Sequence, residues 1–193
     1  FPLEQDDVAA VREAAMQELN QLIAFGDNSI QMPGLLNSPD VLRSMVPSPW
    51  NSSSTPAQIL ASMHDLVTAM VNKTDQVERP DTLYLPPTQY HYISTNYANP
   101  AAANDKILDD FVKSSPYVKQ VRPLLECRGA GPNGEDVALV MKRDPRKVKA
   151  MIYQPFTFLD MQRKGLGYQR PAVIRYGGLR LYRPYSVHLG IGI

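Results

Sequence analysis

Cysteine is almost absent from this sequence, with Cys127 the single one among 193 residues. One thiol cannot form an internal disulfide, nor can it supply the several thiolates of a cysteine-based zinc site. Histidine is also sparse. The three histidines, His64, His91 and His188, lie far apart in the chain. The sequence therefore predicts no metal-binding residues and is consistent with a reducing compartment.

Long apolar runs are missing as well. No run approaches the ~18 residues that would cross a bilayer, and no basic-then-apolar signal segment follows the opening Phe1-Pro2-Leu3. A hydrophobic content of 44% is normal for a folded core, and 193 residues suffice for one large domain or two closely connected ones. We expect a soluble protein with no membrane partner, and the missing initiator Met favours a fragment of a longer chain.

The usual catalytic signatures are also lacking. There is no Gly-Lys-Ser phosphate motif, no Gly-x-Ser-x-Gly turn and no His-Glu-x-x-His pair. Residues 129–134, GAGPNG, match the dinucleotide-binding pattern, but a β-like run begins at Val137 where that site needs a helix. We predict a glycine-rich hairpin there, no catalytic or cofactor-binding residue, no cofactor and no enzymatic activity.

Charge is balanced overall but unevenly distributed. The net charge is +1; from Lys142 onward eleven Lys or Arg stand against two acidic residues (+9), and the preceding chain has nine against seventeen (−8). The simplest interpretation is an acidic helical region and a set of solvated strand faces. The alternative is a basic surface that faces a polyanion such as DNA, since attraction to phosphates needs no base-specific contact.

A long amphipathic helix is predicted over residues 6–25. Asp6 and Asp7 are expected to cap its first turn, and Gly26 to end it in a left-handed conformation. A rod of about 28 Å is too long for a connector, so we expect the late strands of the chain to cover it. Its apolar positions recur at helical spacing on one face: Val8, Val11, Ala15, Leu19, Leu22 and Ile23.

The rest of the chain mixes helix and strand signals, which predicts an α+β fold. Residues 39–55 predict an ordered loop anchored by Trp50, after which Thr55 and Pro56 begin a second helix. That helix carries one apolar stripe: Ile59, Leu60, Met63, Leu66, Val67, Met70 and Val71. Further predictions are helical segments at 89–93 and 105–113, strands at 82–85, 117–121, 137–141, 148–153, 171–176 and 179–182, and turns at 164–165 and 177–178.

Aromatic residues concentrate between Tyr84 and Tyr97, where Tyr90 and Tyr92 flank His91. Such a cluster can bind a nucleobase or a sugar. Tyrosines at a strand-to-helix corner more often pack their rings and hydrogen-bond their hydroxyls. We therefore favour packing.

Several segments follow one another in a distinctive order. They are Gly26-Asp27, Met32-Pro33-Gly34-Leu35-Leu36-Asn37, Trp50, Thr55-Pro56, Asp81-Thr82-Leu83-Tyr84-Leu85-Pro86-Pro87-Thr88-Gln89-Tyr90 and Tyr182-Arg183-Pro184-Tyr185-Ser186-Val187. In this order they resemble the Hong Kong 97-type major capsid proteins of tailed phages, over nearly the whole chain.

The resemblance implies a Hong Kong 97-like capsid fold. Residues 1–28 would form the spine helix of a peripheral domain, 29–146 an axial domain, and 147–193 a return to the peripheral sheet. The implied function is a coat protein that assembles with itself into pentamers and hexamers of an icosahedral shell around DNA, in the virion and, during assembly, in the host cytoplasm. The family's N-terminal arm and extended loop are absent here, so we expect them to have been cleaved, truncated or deleted, or never present.

Three other functions remain open. An encapsulin-type shell has the same fold around protein cargo, and the contents of the particle would distinguish it. A nucleotide- or small-molecule-binding enzyme would use the tyrosine cluster or the glycine loop, and a thermal-shift assay with nucleotides would reveal it. A free monomer with no role in a shell would be exposed by size-exclusion chromatography.

Overall fold

The structure, a computed structural model, describes residues 2–99 and 105–193. The helices are α1 (Pro2–Phe25), α2 (Pro56–Lys73), α3 (Pro87–Thr95) and α4 (Ile107–Ser114). The strands are β1 (Gly26–Asp27), β2 (Met32–Pro33), β3 (Leu42–Met45), β4 (Thr82–Leu85), β5 (Gln120–Pro123), β6 (Val137–Met141), β7 (Val148–Phe158), β8 (Gln162–Lys164), β9 (Gly167–Gln169), β10 (Ala172–Leu181) and β11 (Val187–Ile191). This mixture agrees with the predicted α+β class.

The chain divides into two compact units. The first consists of Phe1–Asn37 and Lys149–Arg180, and the second of Ser38–Val148 and Leu181–Ile193. The long helix α1 and the late strands β7 to β10 therefore share a unit. The predicted apolar face of α1 is not fully covered, however, because Leu19 is buried but Val11 is 47% exposed. No helix in the described ranges is long and apolar enough to cross a membrane.

The start of α1 differs from the prediction, whereas its end agrees with it. Asp6 and Asp7 lie inside the helix, so the predicted cap is wrong. At the other end Gly26 turns the chain with φ +71°, a conformation that glycine adopts without steric cost. The chain then folds back through the antiparallel pair β1 and β2.

The segment after β2 closes the carboxyl end of α1. Leu35 N and Leu36 N donate to the carbonyls of Ile23 and Ala24 at 2.9 and 2.8 Å. These carbonyls belong to the last turn and have no partner within the helix. Asn37 completes the closure, because its side chain donates to the Phe25 carbonyl and accepts from the Gly34 amide.

The late strands of the first unit form a ribbon in which β7 pairs with β10, continued by a hairpin of β8 and β9. The predicted turn at 164–165 is confirmed by the hairpin, where Gly165 has φ +63°. The predicted turn at 177–178 is wrong, since both residues lie inside β10. Gly177 instead makes room for the Tyr153 ring, whose Cε2 would lie 2.0 Å from a Cβ there.

The second unit is built on a five-stranded sheet in the order β3-β11-β6-β4-β5. Strand β6 is antiparallel to β11 and β4, while β3 is parallel to β11 and β5 is parallel to β4. Every residue of β6 and β11 is buried, which suits their central positions. Gly190 in β11 allows close packing of α2, because a Cβ there would lie 2.7 Å from Leu66 Cδ1.

Helix α2 supplies much of the core against this sheet. Its first turn is capped reciprocally, since the side chains of Thr55 and Gln58 each accept from the other's backbone amide. Trp50 is the predicted loop anchor, fully buried with Nε1 donating to Ser62 Oγ at 2.7 Å. The predicted apolar stripe is confirmed, with Leu60 partly buried and the other six residues buried.

Several predictions for the second unit are wrong. The predicted loop over residues 39–55 contains β3, and β5 begins at Gln120, later than predicted. The glycine-rich segment is not a hairpin, because β4 lies between β5 and β6 in the sheet. The compact units place residues 149–180 in the first unit and residues 181–193 in the second, where β11 lies inside the five-stranded sheet. The division into spine helix (1–28), axial domain (29–146) and peripheral return (147–193) stays a prediction.

Candidate functional site

The backbone amides of the glycine loop at residues 129–134 donate hydrogen bonds to acceptors in the loop and in the two residues that follow it, rather than to a ligand. Gly129 N donates to Asp136 Oδ1 at 2.8 Å. Gly131 N donates to Glu135 O at 2.8 Å, and Gly134 N to Gly131 O at 3.0 Å. The chain then continues into β6, so no helix begins at these glycines. Two carboxylates beside these amides would repel a pyrophosphate, and the geometry does not support nucleotide binding.

The aromatic residues between Tyr84 and Tyr97 divide between the core and the surface. Tyr90 and Tyr92 pack against the core of the second unit. Tyr97 is 40% exposed and its ring lies 4.1 Å from the Lys106 ammonium. A groove of about 520 Å³ lies elsewhere, between α4 and β5. The packing interpretation therefore fits this cluster better than a binding site.

The single thiol is poorly placed for chemistry. Cys127 is fully buried, and burial raises its pKa to about 12, with Glu126 and Asp136 adding to the rise. A thiol with this pKa stays protonated near neutral pH, whereas the thiolate is the reactive and metal-binding form. In the part of the chain that the structure describes, no three His, Cys, Asp or Glu residues are grouped as a metal site requires.

A buried carboxylate, Glu78, joins three segments of the second unit. Its side chain is 4% exposed. Oε2 binds Lys147 Nζ, and Oε1 lies 3.1 Å from Arg183 Nη1. Lys147 immediately precedes β7 and Arg183 lies just beyond β10, and Tyr182 N donates to Lys147 O at 2.8 Å. This Glu78 ion-pair cluster thus links the segment that follows α2 to Lys147 and Arg183 within the second unit.

Part of the basic run at residues 142–149 is neutralised internally. Lys147 is bound by Glu78, and Lys142 Nζ lies 3.0 Å from Asp81 Oδ2. Burial acts to raise the pKa of Asp81, but hydrogen bonds, chiefly from Arg143 N and Lys142, outweigh it and the pKa is lowered. Lys142 and Lys147 are therefore paired within the second unit, whereas Arg143, Arg146 and Lys149 are exposed.

His188, on β11, has partners at both ring nitrogens although it is 1% exposed. The Leu66 carbonyl lies 3.0 Å from Nδ1 and the Ser44 hydroxyl 2.9 Å from Nε2. Because a carbonyl can only accept, Nδ1 carries the proton and Nε2 accepts from Ser44 in the neutral ring. Burial lowers the pKa of His188, against the opposing effect of the Leu66 hydrogen bond. His188 is therefore a neutral residue that joins β11 to α2 and β3.

We expect stability to fall as the pH drops below 6.5, the ordinary pKa of histidine. In that range the unfolded chain binds a proton more readily than the folded chain does, so the free energy of unfolding rises with pH. Urea unfolding at about pH 7.5 and about pH 5.5 measures the effect, whose upper limit for one proton is about 1 kcal/mol.

His188→Gln should remove this part of the pH dependence, whereas His91→Gln, at an exposed position, should retain it. An unchanged pH dependence in His188→Gln would contradict the assignment.

The hairpin of β8 and β9 exposes large apolar side chains between basic ones. Leu166 is fully exposed, Tyr168 is 75% exposed and Met161 is 56% exposed. Arg163, Lys164 and Arg170 are exposed among them. Apolar side chains that protrude together in this way mark a contact surface. We call residues 161–170 the basic hairpin. The sequence signal that could have revealed it is the pair of large apolar residues, Leu166 and Tyr168, directly after the predicted turn at 164–165.

The whole chain matches a known family. Residues 1–193 match the sequence profile described as Major capsid protein. None of the curated proteins compared with the chain is similar to it.

Two solved structures share the fold. A chain titled "The capsid of Myoviridae Phage XM1" has TM-score 0.87 and 17% identity, covering 99% of this chain and 65% of that one. A virus-like particle from Pyrococcus furiosus has TM-score 0.57 and 13% identity, covering 81% of this chain and 58% of that one. This chain thus spans 65% of the phage chain's length.

The predicted resemblance to phage capsid proteins is therefore confirmed. The family profile extends over the full sequence, and the fold of the phage capsid chain extends over nearly all of the structure. The chain belongs to the major capsid protein family.

Proposed function

We propose that the chain is a non-enzymatic coat-protein subunit that assembles with copies of itself into pentamers and hexamers of an icosahedral shell. The observation that carries the proposal is the similarity of fold to a phage capsid chain over 99% of this chain. Closed rings require contacts that join two different surfaces of identical subunits. Each such contact can be weak, because every subunit is held by several neighbours at once.

Within the shell, we assign the second unit to the axial domain and the first unit to the peripheral domain. Helix α1 supports this assignment, since its 24 residues form a rod of about 36 Å suited to the outer part of a subunit. The second unit has its own sheet and core, as expected of a domain that packs around a ring axis. The axial domain would then comprise Ser38–Val148 and Leu181–Ile193.

We propose that the shell encloses DNA, which places the protein in the virion and, during assembly, in the host cytoplasm. The charge of residues 149–180 supports DNA as the content of the shell. These residues include six basic side chains and a single acidic one, Asp160, and positive charge attracts phosphates. The alternative is a nanocompartment with protein cargo. The weaker similarity to the Pyrococcus furiosus particle, at TM-score 0.57, makes it the second candidate.

Expression of the full-length gene product is expected to yield closed particles, visible by negative-stain electron microscopy and excluded from a sizing column. A monomer under all conditions would contradict the proposed function. Ultraviolet absorbance and nuclease digestion of purified particles distinguish DNA from protein cargo. A nucleotide panel in a thermal-shift assay should leave the melting temperature unchanged, whereas stabilisation would favour the enzyme alternative.

A further inference from the structure

The first unit contains two segments of equal and opposite charge. Residues 1–37 have one basic residue, Arg12, and six acidic ones, giving −5. Residues 149–180 have six basic residues and one acidic one, giving +5. The structure describes the side chains of residues 7–99 and 105–193. All salt bridges among these side chains lie in the second unit. Among the described side chains, residues 7–37 and 149–180 therefore form no salt bridge with each other.

The outward face of α1 combines this negative charge with exposed apolar groups. Val11 is 47% exposed and Phe25 is 37% exposed, although both lie on a helix that buries Leu19. Positions separated by four, seven and eleven residues fall on one helical face. Together they form what we call the acidic stripe: Asp7, Val11, Ala14, Glu18 and Phe25.

The basic hairpin has the complementary pattern. Leu166 and Tyr168 protrude at its centre, and Arg163 and Lys164 lie beside them. Arg170 holds the base of the hairpin, with its guanidinium 5.0 Å from the Phe158 ring centre. An apolar centre bordered by charge is the usual anatomy of a protein contact surface.

We propose that the basic hairpin of one copy binds the acidic stripe on α1 of a neighbouring copy. Leu166 and Tyr168 would cover Val11 and Ala14 in the middle of the stripe, and the basic side chains would pair with Asp7 and Glu18 on either side. The contact joins two different surfaces of the same chain, so each copy supplies both and the arrangement can propagate to a closed ring. This inference rests on the proposed function and specifies one contact of the shell.

A second copy fits the basic hairpin better than DNA does. Phosphate binding needs positive charge alone, and it leaves Leu166, Tyr168 and Met161 exposed to water. An acidic stripe that contains apolar side chains satisfies both features of the hairpin, and it accounts for the equal charges of the two segments.

Charge reversal in the full-length gene product tests the contact. The hairpin variant is Arg163→Glu with Lys164→Glu, and the helix variant is Asp7→Lys with Glu18→Lys. Each should lower particle yield at low salt by about tenfold or more, because like charges that face each other oppose association. The combination should restore most of the yield. Circular dichroism and thermal melting verify that each variant folds.

A matched control for the hairpin variant is Arg79→Glu with Arg128→Glu, which makes the same charge change at exposed positions of the second unit. It should assemble like the wild-type protein.

Normal assembly of the hairpin and helix variants would overturn the inference, as would folded variants whose combination restores nothing. Shells of the hairpin variant that form normally but lose nucleic acid would assign the hairpin to DNA instead. The wild-type protein separates a failure of the proposed contact from a failure of the proposed function. If the wild-type protein forms no particles, the proposed function itself is refuted.

Discussion

Replacing Glu78 by alanine is expected to lower the free energy of unfolding by about 3–5 kcal/mol, because removing one partner of a buried ion pair leaves the other uncompensated. The Lys147 side chain is 16% exposed and would lose the carboxylate that neutralises it. Arg183 would lose its partner as well, although its side chain is 58% exposed and water can solvate it. Urea unfolding of the purified chain measures the change.

An exposed pair provides the control for this experiment. Asp105 binds Lys113, and the two side chains are 42% and 63% exposed. Asp105→Ala should therefore cost at most about 1 kcal/mol. Combining Glu78→Gln with Lys147→Gln should recover part of the stability lost in Glu78→Gln, since the double variant buries no lysine charge. Equal losses in Glu78→Ala and Asp105→Ala would refute the role of burial.

Gly34→Ala is the second substitution with a large expected effect. The new Cβ would lie 2.4 Å from the Ala24 carbonyl oxygen and 2.4 Å from Gly26 N, so it would collide with backbone on both sides. The segment that closes α1 would have to move away, and the hydrogen bonds from Leu35 and Leu36 would be lost. We expect destabilisation of about 3 kcal/mol or more, at the upper end of the effects of overpacking.

Gly167→Ala is the matched control, because a Cβ at Gly167 meets no atom within 4 Å. Its stability should stay within about 0.5 kcal/mol of the wild-type value. Hydrogen exchange adds a local measurement. The amides of Leu35 and Leu36 should lose protection in Gly34→Ala and keep it in Gly167→Ala. Unchanged protection in Gly34→Ala would show that the closing segment does not depend on this glycine.

Local signals in the sequence predicted the helices well. Thr55, Pro56 and the following apolar stripe define α2 without help from the rest of the chain. Strand β3 could not be found in this way, because Leu42–Met45 has no strong alternation and its partner lies far away in the sequence. Gly177 and Gly178 led to the wrong prediction of a turn. Glycine is common in turns, but it also occurs in strands where a large side chain packs directly against the backbone, as Tyr153 does at Gly177.

The contact surfaces were less predictable than the fold. The Glu78 ion-pair cluster joins residues 69 and 105 positions apart, and no short motif encodes it. The basic run at 142–149 could be counted from the sequence, yet whether Lys142 and Lys147 were free or paired depended on Asp81 and Glu78. The exposure of Leu166 likewise depends on the folded hairpin, because the same residues in a buried strand would be part of a hydrophobic core.

The position of β11 between β3 and β6 has a consequence for biosynthesis. Ser44 in β3 and its hydrogen-bond partner His188 are 144 residues apart, so β3 leaves the ribosome long before the strand that pairs with it exists. The ribbon and the basic hairpin are translated during that interval. Closure of the five-stranded sheet is thus a late step that depends on distant parts of the nascent chain, and such steps are slow. Until then β3 has no pairing partner from its own chain, and a chaperone that shields it would prevent premature association between nascent copies.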